Sequence, residues 1–190
     1  AHAVDLVSVS LALGIAAVIF DIVLATQSQP YLVKDINPSG DSTPKWFAAR
    51  SNQLYFVSTG GNNGIELWRS DGTLTGTMLV KDINPNGDSS PDFVTNFNGT
   101  LYFSAFDGLQ GVDFHGRELW KSDGTLTGTV LVKDINPDGS STPFGLSVFN
   151  DILYFSAADN LNGTELWSSD GTFSGTRMVK DIYSGTGSSA

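Results

Sequence analysis

The chain has 190 residues, no cysteine and a formal net charge of -10. That length allows one domain, or one domain with an appendage, built round a real hydrophobic core. The acidity excludes a nucleic-acid footprint, which needs basic residues against phosphate, and the missing cysteine excludes disulfides, a thiol nucleophile and thiolate metal ligation.

The first element in chain order is apolar. Leu6 to Ala25 reads LVSVSLALGIAAVIFDIVLA, with no basic residue and a single acid, Asp21. Such a run is long enough to cross a bilayer as a helix or to lie buried in an assembly. On a helix, Ser10, Gly14, Ala17 and Asp21 fall at i, i+4, i+7 and i+11. They make a stripe of small and polar residues that lets helices approach closely. A strand is the competing reading near the start, where Val7, Val9, Leu11 and Leu13 alternate with Ser8, Ser10 and Ala12. The alternation is lost after Leu13, so we expect an α-helix over residues 1–27. Residues 28–30 form a linker, because Pro30 and the residue before it resist helical continuation. All the acids except Asp5 and Asp21 lie in the remainder, 31–190.

That remainder is repetitive. The phrase ELWxSDGTxxGTxxVKDI begins at Glu66, Glu118 and Glu165; LYF begins at Leu54, Leu101 and Leu153; and KDINPxGxSxP begins at Lys34, Lys81 and Lys133. Each unit is expected to hold four short strands. The first runs over Trp46 to Arg50, Phe93 to Phe97 or Leu146 to Phe149, and the second starts at the LYF phrase. The third carries ELW and is closed by Asp-Gly, a hairpin signal because glycine accepts a positive φ. The fourth is the VKDI segment, with an extra copy, YLVKDI, ahead of the first unit.

Residues 31–182 resemble the ELWxxDGT repeat proteins of bacterial surfaces and secretions. The resemblance implies an all-β head of three four-stranded, propeller-blade-like units. Three units could also form a pseudo-threefold prism or trefoil, stack openly, or close through a neighbouring subunit. The N-terminal segment is similar to the mature helix of type IV pilin-like subunits, with Asp5 at the acidic fifth position and Gly14, Ile15, Ala17 and Ile19 on the later pattern. The pilin resemblance implies that Asp5 neutralises the Ala1 amine of an adjacent subunit inside a filament core, where an apolar setting demands compensation. A plain membrane anchor is the alternative for this segment, and donation of a strand to another subunit a third.

The loops between units carry alternating oxygen side chains before a glycine: Asp35 and Asn37; Asp82, Asn84, Asn86 and Asp88; Asp134, Asn136 and Asp138. This spacing matches the first half of a calcium loop. The twelfth positions, where an EF-hand has its bidentate Glu, are instead Trp46, Phe93 and Gly145. The plainer reading is a turn in which Asx side chains cap their own backbone.

Catalysis finds little support. No nucleophile elbow, zinc signature or phosphate-cradling loop is present. His115 falls in an expansion of the second unit beside Asp113, and reads as a loop residue. Glu66, Glu118 and Glu165, like Asp71, Asp123 and Asp170, occur once per unit and are expected to serve the fold. Trp68, Trp120 and Trp167 are expected in the core; Trp46, whose equivalents are not tryptophan, is the candidate ligand contact, with a glycan the natural partner.

The expectation is therefore a non-enzymatic, extracellular or cell-surface filament subunit. Its partners would be copies of itself, with the membrane before assembly, no nucleic acid, and calcium as the one candidate ion. The alternative is a membrane-anchored module that binds a glycan or protein.

Overall fold

The computed structural model describes residues 29–109, 115–182 and 184. The expected helix over 1–27, with Ala1, Asp5, Ser10, Gly14, Ala17 and Asp21, lies outside the described residues, as does Asp113.

The described residues form three four-stranded antiparallel sheets, each a meander in chain order. The first holds β1 (Lys45–Arg50), β2 (Gln53–Thr59), β3 (Ile65–Ser70) and β4 (Met78–Lys81). The second holds β5 (Asp92–Phe97), β6 (Thr100–Phe106), β7 (Arg117–Ser122) and β8 (Val130–Lys133). The third holds β9 (Phe144–Phe149), β10 (Ile152–Asp159), β11 (Gly163–Ser169) and β12 (Arg177–Lys180). Among the described residues no helix is long and apolar enough to cross a membrane.

Local chemistry explains the strands. Aromatic and β-branched residues in the LYF segments suit a pleated surface covered on both faces. The turns at Asn98-Gly99 and Asn150-Asp151 have positive φ at both central residues, as tight two-residue hairpins require. The Asp-Gly signal is corrected in one respect. Gly72, Gly124 and Gly171 do take positive φ, but β3 ends at Ser70 and β4 starts only at Met78. The connection is long because Asp71 folds it locally: its Oδ1 accepts from Thr73 N at 2.9 Å and Thr73 Oγ1 at 2.7 Å. A carboxylate that captures the backbone two residues on replaces the ladder bonds a tight hairpin would make.

The first strand of every sheet is bulged, with register breaks between Lys45 and Ala48, between Asp92 and Thr95, and opposite Tyr154 to Ser156. Trp46, Phe93 and Gly145 occupy the bulges with φ of 55°, 58° and 68°. Glycine takes this conformation without strain, whereas a bulky aromatic does not.

The sheets stack face to face. Tyr55, Val57, Leu67, Val80 and Ile83 of the first pack on Val94, Leu101, Phe103, Ala105 and Trp120 of the second. The second then repeats the arrangement with Phe97, Tyr102, Leu119, Val132 and Ile135 against Leu153, Phe155, Ala157 and Trp167 of the third. Polar contacts repeat as well: Lys81 Nζ donates to Thr129 O at 2.9 Å and Lys133 Nζ to Thr176 O at 2.8 Å. Lys34 Nζ donates to Thr77 O at 2.7 Å, so the extra LVKDI copy at 32–36 makes the contact of a fourth strand from a preceding unit.

One contact allows an internal control. A Cβ on Gly124 would stand 2.1 Å from Tyr55 Oη, whereas one on Gly72 would meet nothing within 4 Å. Both glycines share nearly the same φ, +86° and +88°, so the left-handed backbone penalty of about 1–2 kcal/mol is common to both. We expect Gly124→Ala to lower stability by about 1–3 kcal/mol more than Gly72→Ala, the overpacking cost. Urea unfolding of the two variants checks this, and equal losses would contradict the contact.

Candidate functional site

Glu66 and Glu118 are fully buried and each ties its own sheet to the loop that leads into the next. Glu118 Oε2 accepts from Ile135 N at 2.9 Å and Ser141 Oγ at 2.5 Å, and Oε1 accepts from Ser141 N at 2.7 Å. Glu66 accepts from Ile83 N, Ser89 N and Ser89 Oγ in the same way. Glu165, also buried, accepts from Ile182 N at 3.2 Å. Burial pushes the Glu66 and Glu118 carboxyls up to about 7, against the lowering effect of the serine hydroxyls and backbone N–H groups. A cleft acid with such a shift would be a catalytic candidate; these are closed off from solvent and hold loops, so their geometry is structural. Their burial was missed from sequence, where the only signal was an acid placed between apolar residues in a strand.

Asp71, Asp123 and Asp170 stand at the surface, where the threonine hydroxyl and backbone N–H two residues on hold their carboxyls below the usual range. These acids make the turn expected of them.

The loop residues expected as calcium ligands bond mostly within their own turns. Asn37 Oδ1 accepts from Ser39 Oγ, and Asn37 Nδ2 donates to Asp41 O. Asn84 Nδ2 donates to Asp88 O, while Asn84 Oδ1 accepts from Asn86 N. Asn136 Nδ2 donates to Ser140 O. Asp88 Oδ1 accepts from Ile65 N, Asp82 Oδ2 from Asn63 Nδ2, and Asp138 pairs with Asn160. Asp35 is exposed. The buried atoms Asp82 Oδ1, Asp134 Oδ1 and Asn136 Oδ1 have no protein hydrogen-bond donor. Among the described residues no three His, Cys, Asp or Glu side chains converge in a way that could hold a metal ion. What repeats in all three loops is an Asn side-chain amide that donates to the backbone carbonyl four residues on.

Trp46 is half-exposed, and its indole N–H donates to Asp92 Oδ1 at 2.9 Å. Lys45 and Arg117 also approach Asp92, at 3.5 and 3.6 Å. Trp46, Phe93 and Phe144 form an aromatic row across the first strands of the three sheets, with ring centroids 4.9 and 6.0 Å apart. Trp68, Trp120 and Trp167 are buried as expected, two of them beneath lysines: Lys81 over Trp120 at 5.8 Å and Lys133 over Trp167 at 6.0 Å. His115 Nδ1 lies 2.7 Å from the buried Asp107. The sequence concealed that pair, because the two residues stand eight apart with no shared motif.

No family model matches the chain, and no curated protein does. Among solved structures the chain is similar to the computationally designed Ika8 protein, with a TM-score of 0.39 and 16% identity over 73% of this chain. The chain spans 36% of that structure's length.

Proposed function

We propose that the chain is a structural subunit of an extracellular or cell-surface filament, polymerising through residues 1–27 in the manner of type IV pilin-like subunits. The head of three four-stranded, propeller-blade-like units faces solvent, and the subunit performs no catalysis. One observation carries this reading: an apolar run from Leu6 to Ala25, with Asp5 just ahead of it and a single acid, Asp21, inside it, precedes an acidic β-rich head. The head is consistent with it, because the acids repeated in every unit are spent on turns and loop clamps.

In such a filament the Asp5 carboxylate neutralises the Ala1 amine of a neighbouring subunit. Removing the acid leaves a charge without its partner in an apolar core. We expect Asp5→Ala to raise the critical concentration for assembly at least about tenfold, about 1.4 kcal/mol per subunit. Electron microscopy and sedimentation of the full chain check it; equal fibre yield from the variant would refute the pairing, and dispersed monomers in detergent at every concentration would refute the filament.

The second reading is a membrane-anchored surface module that binds a glycan or protein. It is favoured by one observation, the half-exposed face of Trp46 in the aromatic row. A glycan array probed with the wild type and Trp46→Ala separates the two.

A further inference from the structure

Neighbouring sheets always meet through the same two surfaces, and the stack leaves one of each unmatched. The trailing surface of the first sheet covers the leading surface of the second, and that of the second covers the third. Four repeated contacts show what is left over. Leu67 and Leu119 are fully buried on trailing surfaces, whereas Leu166, the same residue of the third sheet, is 41% exposed. Ile83 and Ile135 are buried, whereas Ile182 is 63% exposed. On leading surfaces, Leu101 and Leu153 are fully buried, whereas Leu54 of the first sheet is 41% exposed. Finally, Tyr55 Oη sits on Gly124 and Tyr102 Oη on Gly171, while Gly72 faces open space. Tyr154 is the corresponding tyrosine of the third sheet.

We infer that a second copy of this chain covers the third sheet, laying the leading surface of its first sheet on Tyr154, Leu166, Val179 and Ile182. The occupant is chosen by continuity with the interface already made twice. The surface that fits these residues is built from LYF and ELW phrases, and the first sheet holds a partly uncovered example, open at Leu54 and Gly72 while its Phe56 and Trp68 are buried. The first sheet of the same molecule does not fill the gap, because the second sheet packs between the first and the third. The contact is heterologous, joining different surfaces of the two copies. Burying a set of large apolar side chains that now face solvent drives it.

The structure also contains a competitor for this contact. Lys180 is exposed and repeats Lys81 and Lys133, which reach Thr129 O and Thr176 O. In a second copy its acceptor is Thr77 O, which Lys34 already holds. Residues 32–36 therefore stand in the place of the incoming fourth strand and must yield it. Weakening that latch strengthens docking.

The test uses the full chain in detergent micelles, as an equal mixture of 15N-labelled and unlabelled copies, with p-benzoylphenylalanine replacing Tyr154. Irradiation and mass spectrometry are expected to find label-mixed cross-links from position 154 to residues 71–77 of another copy. Their yield should fall at least fivefold with Leu166→Glu or Ile182→Glu, both at exposed positions, and rise several-fold with Lys34→Ala. Cross-links confined to one chain, cross-links to residues 1–28, or a yield unmoved by either glutamate would overturn the inference. Fibres scored by microscopy in parallel separate the two proposals, since the contact stands on the head's own repeats and not on the filament reading. Fibres without this cross-link refute only the contact, and the cross-link without fibres refutes only the filament.

Discussion

Glu118→Ala is expected to remove about 3–5 kcal/mol of stability, a large share of the about 5–15 kcal/mol typical of a folded domain. The carboxyl accepts three hydrogen bonds, and all of them come from the loop between the second and third sheets. Alanine would leave the N–H groups of Ile135 and Ser141 and the Ser141 hydroxyl buried without an acceptor. Each orphaned donor costs about 1–3 kcal/mol. Thermal or urea unfolding measures the loss, and a loss below about 1 kcal/mol would show that the loop is held by other means.

The same residue makes stability depend on pH in a stated direction. Glu66 and Glu118 have folded pKa values pushed up to about 7 from an ordinary 4.5. The folded state thus binds protons more tightly than the unfolded chain between those values. The stability this contributes is fully present below about 4.5 and is lost as pH rises through about 7. The head should melt at a higher temperature at pH 5 than at pH 8. Asp71, Asp123 and Asp170 act oppositely but only at lower pH, where falling pH titrates carboxyls already held below the usual range. Glu118→Gln, which cannot ionise, should remove about half of the decline between pH 5 and 8, since two such groups contribute. A melting temperature that rises over that interval would contradict the assignment.

Phe103→Ala is the second large effect, with an expected loss of about 3–5 kcal/mol from transfer and cavity terms together. Phe103 is fully buried and pairs across the sheet with Trp120, in the cluster that joins the first two sheets. Its counterpart Phe56 is also buried, but its neighbours Leu54 and Phe47 face solvent. The cavity at Phe56 can collapse toward that open side, so Phe56→Ala should cost clearly less. Denaturant midpoints of the two variants decide it, and a larger loss at Phe56 would show that the first sheet is as well covered as the second.

Much of the fold was legible because its rules act over a few residues. Period-two alternation placed the strands, with starts misplaced by one or two residues where the bulges at Trp46, Phe93 and Gly145 interrupt it. The three buried tryptophans followed from their recurrence. The Asp-Gly turns were legible in φ but not in length, because the Asp71 side chain competes with the ladder. Less of the candidate site could be read. Asp107 and His115 stand eight residues apart, and Trp46 donates to Asp92 in a different sheet, so neither pair leaves a local signature. In the loops expected to resemble half of a calcium site, the Asn side chains cap their own backbone while Asp82, Asp88 and Asp138 reach Asn63, Ile65 and Asn160, contacts that the loop sequence alone does not announce.

The sequence by itself determined that this chain makes three nearly identical β units, because alternation, turn residues and β propensity are local and each unit repeats them. It also determined that an apolar segment and an acidic head share one chain. Only the tertiary structure decided what each copy of a phrase does. Leu67, Leu119 and Leu166 sit in the same words, yet two are fully buried and the third faces solvent. Burial belongs to the surface laid against a residue and not to the residue or its strand. Gly72, Gly124 and Gly171 differ in the same way, with Tyr55 and Tyr102 covering two and nothing covering the first. Repetition specifies the unit, and stacking decides which of its faces are finished.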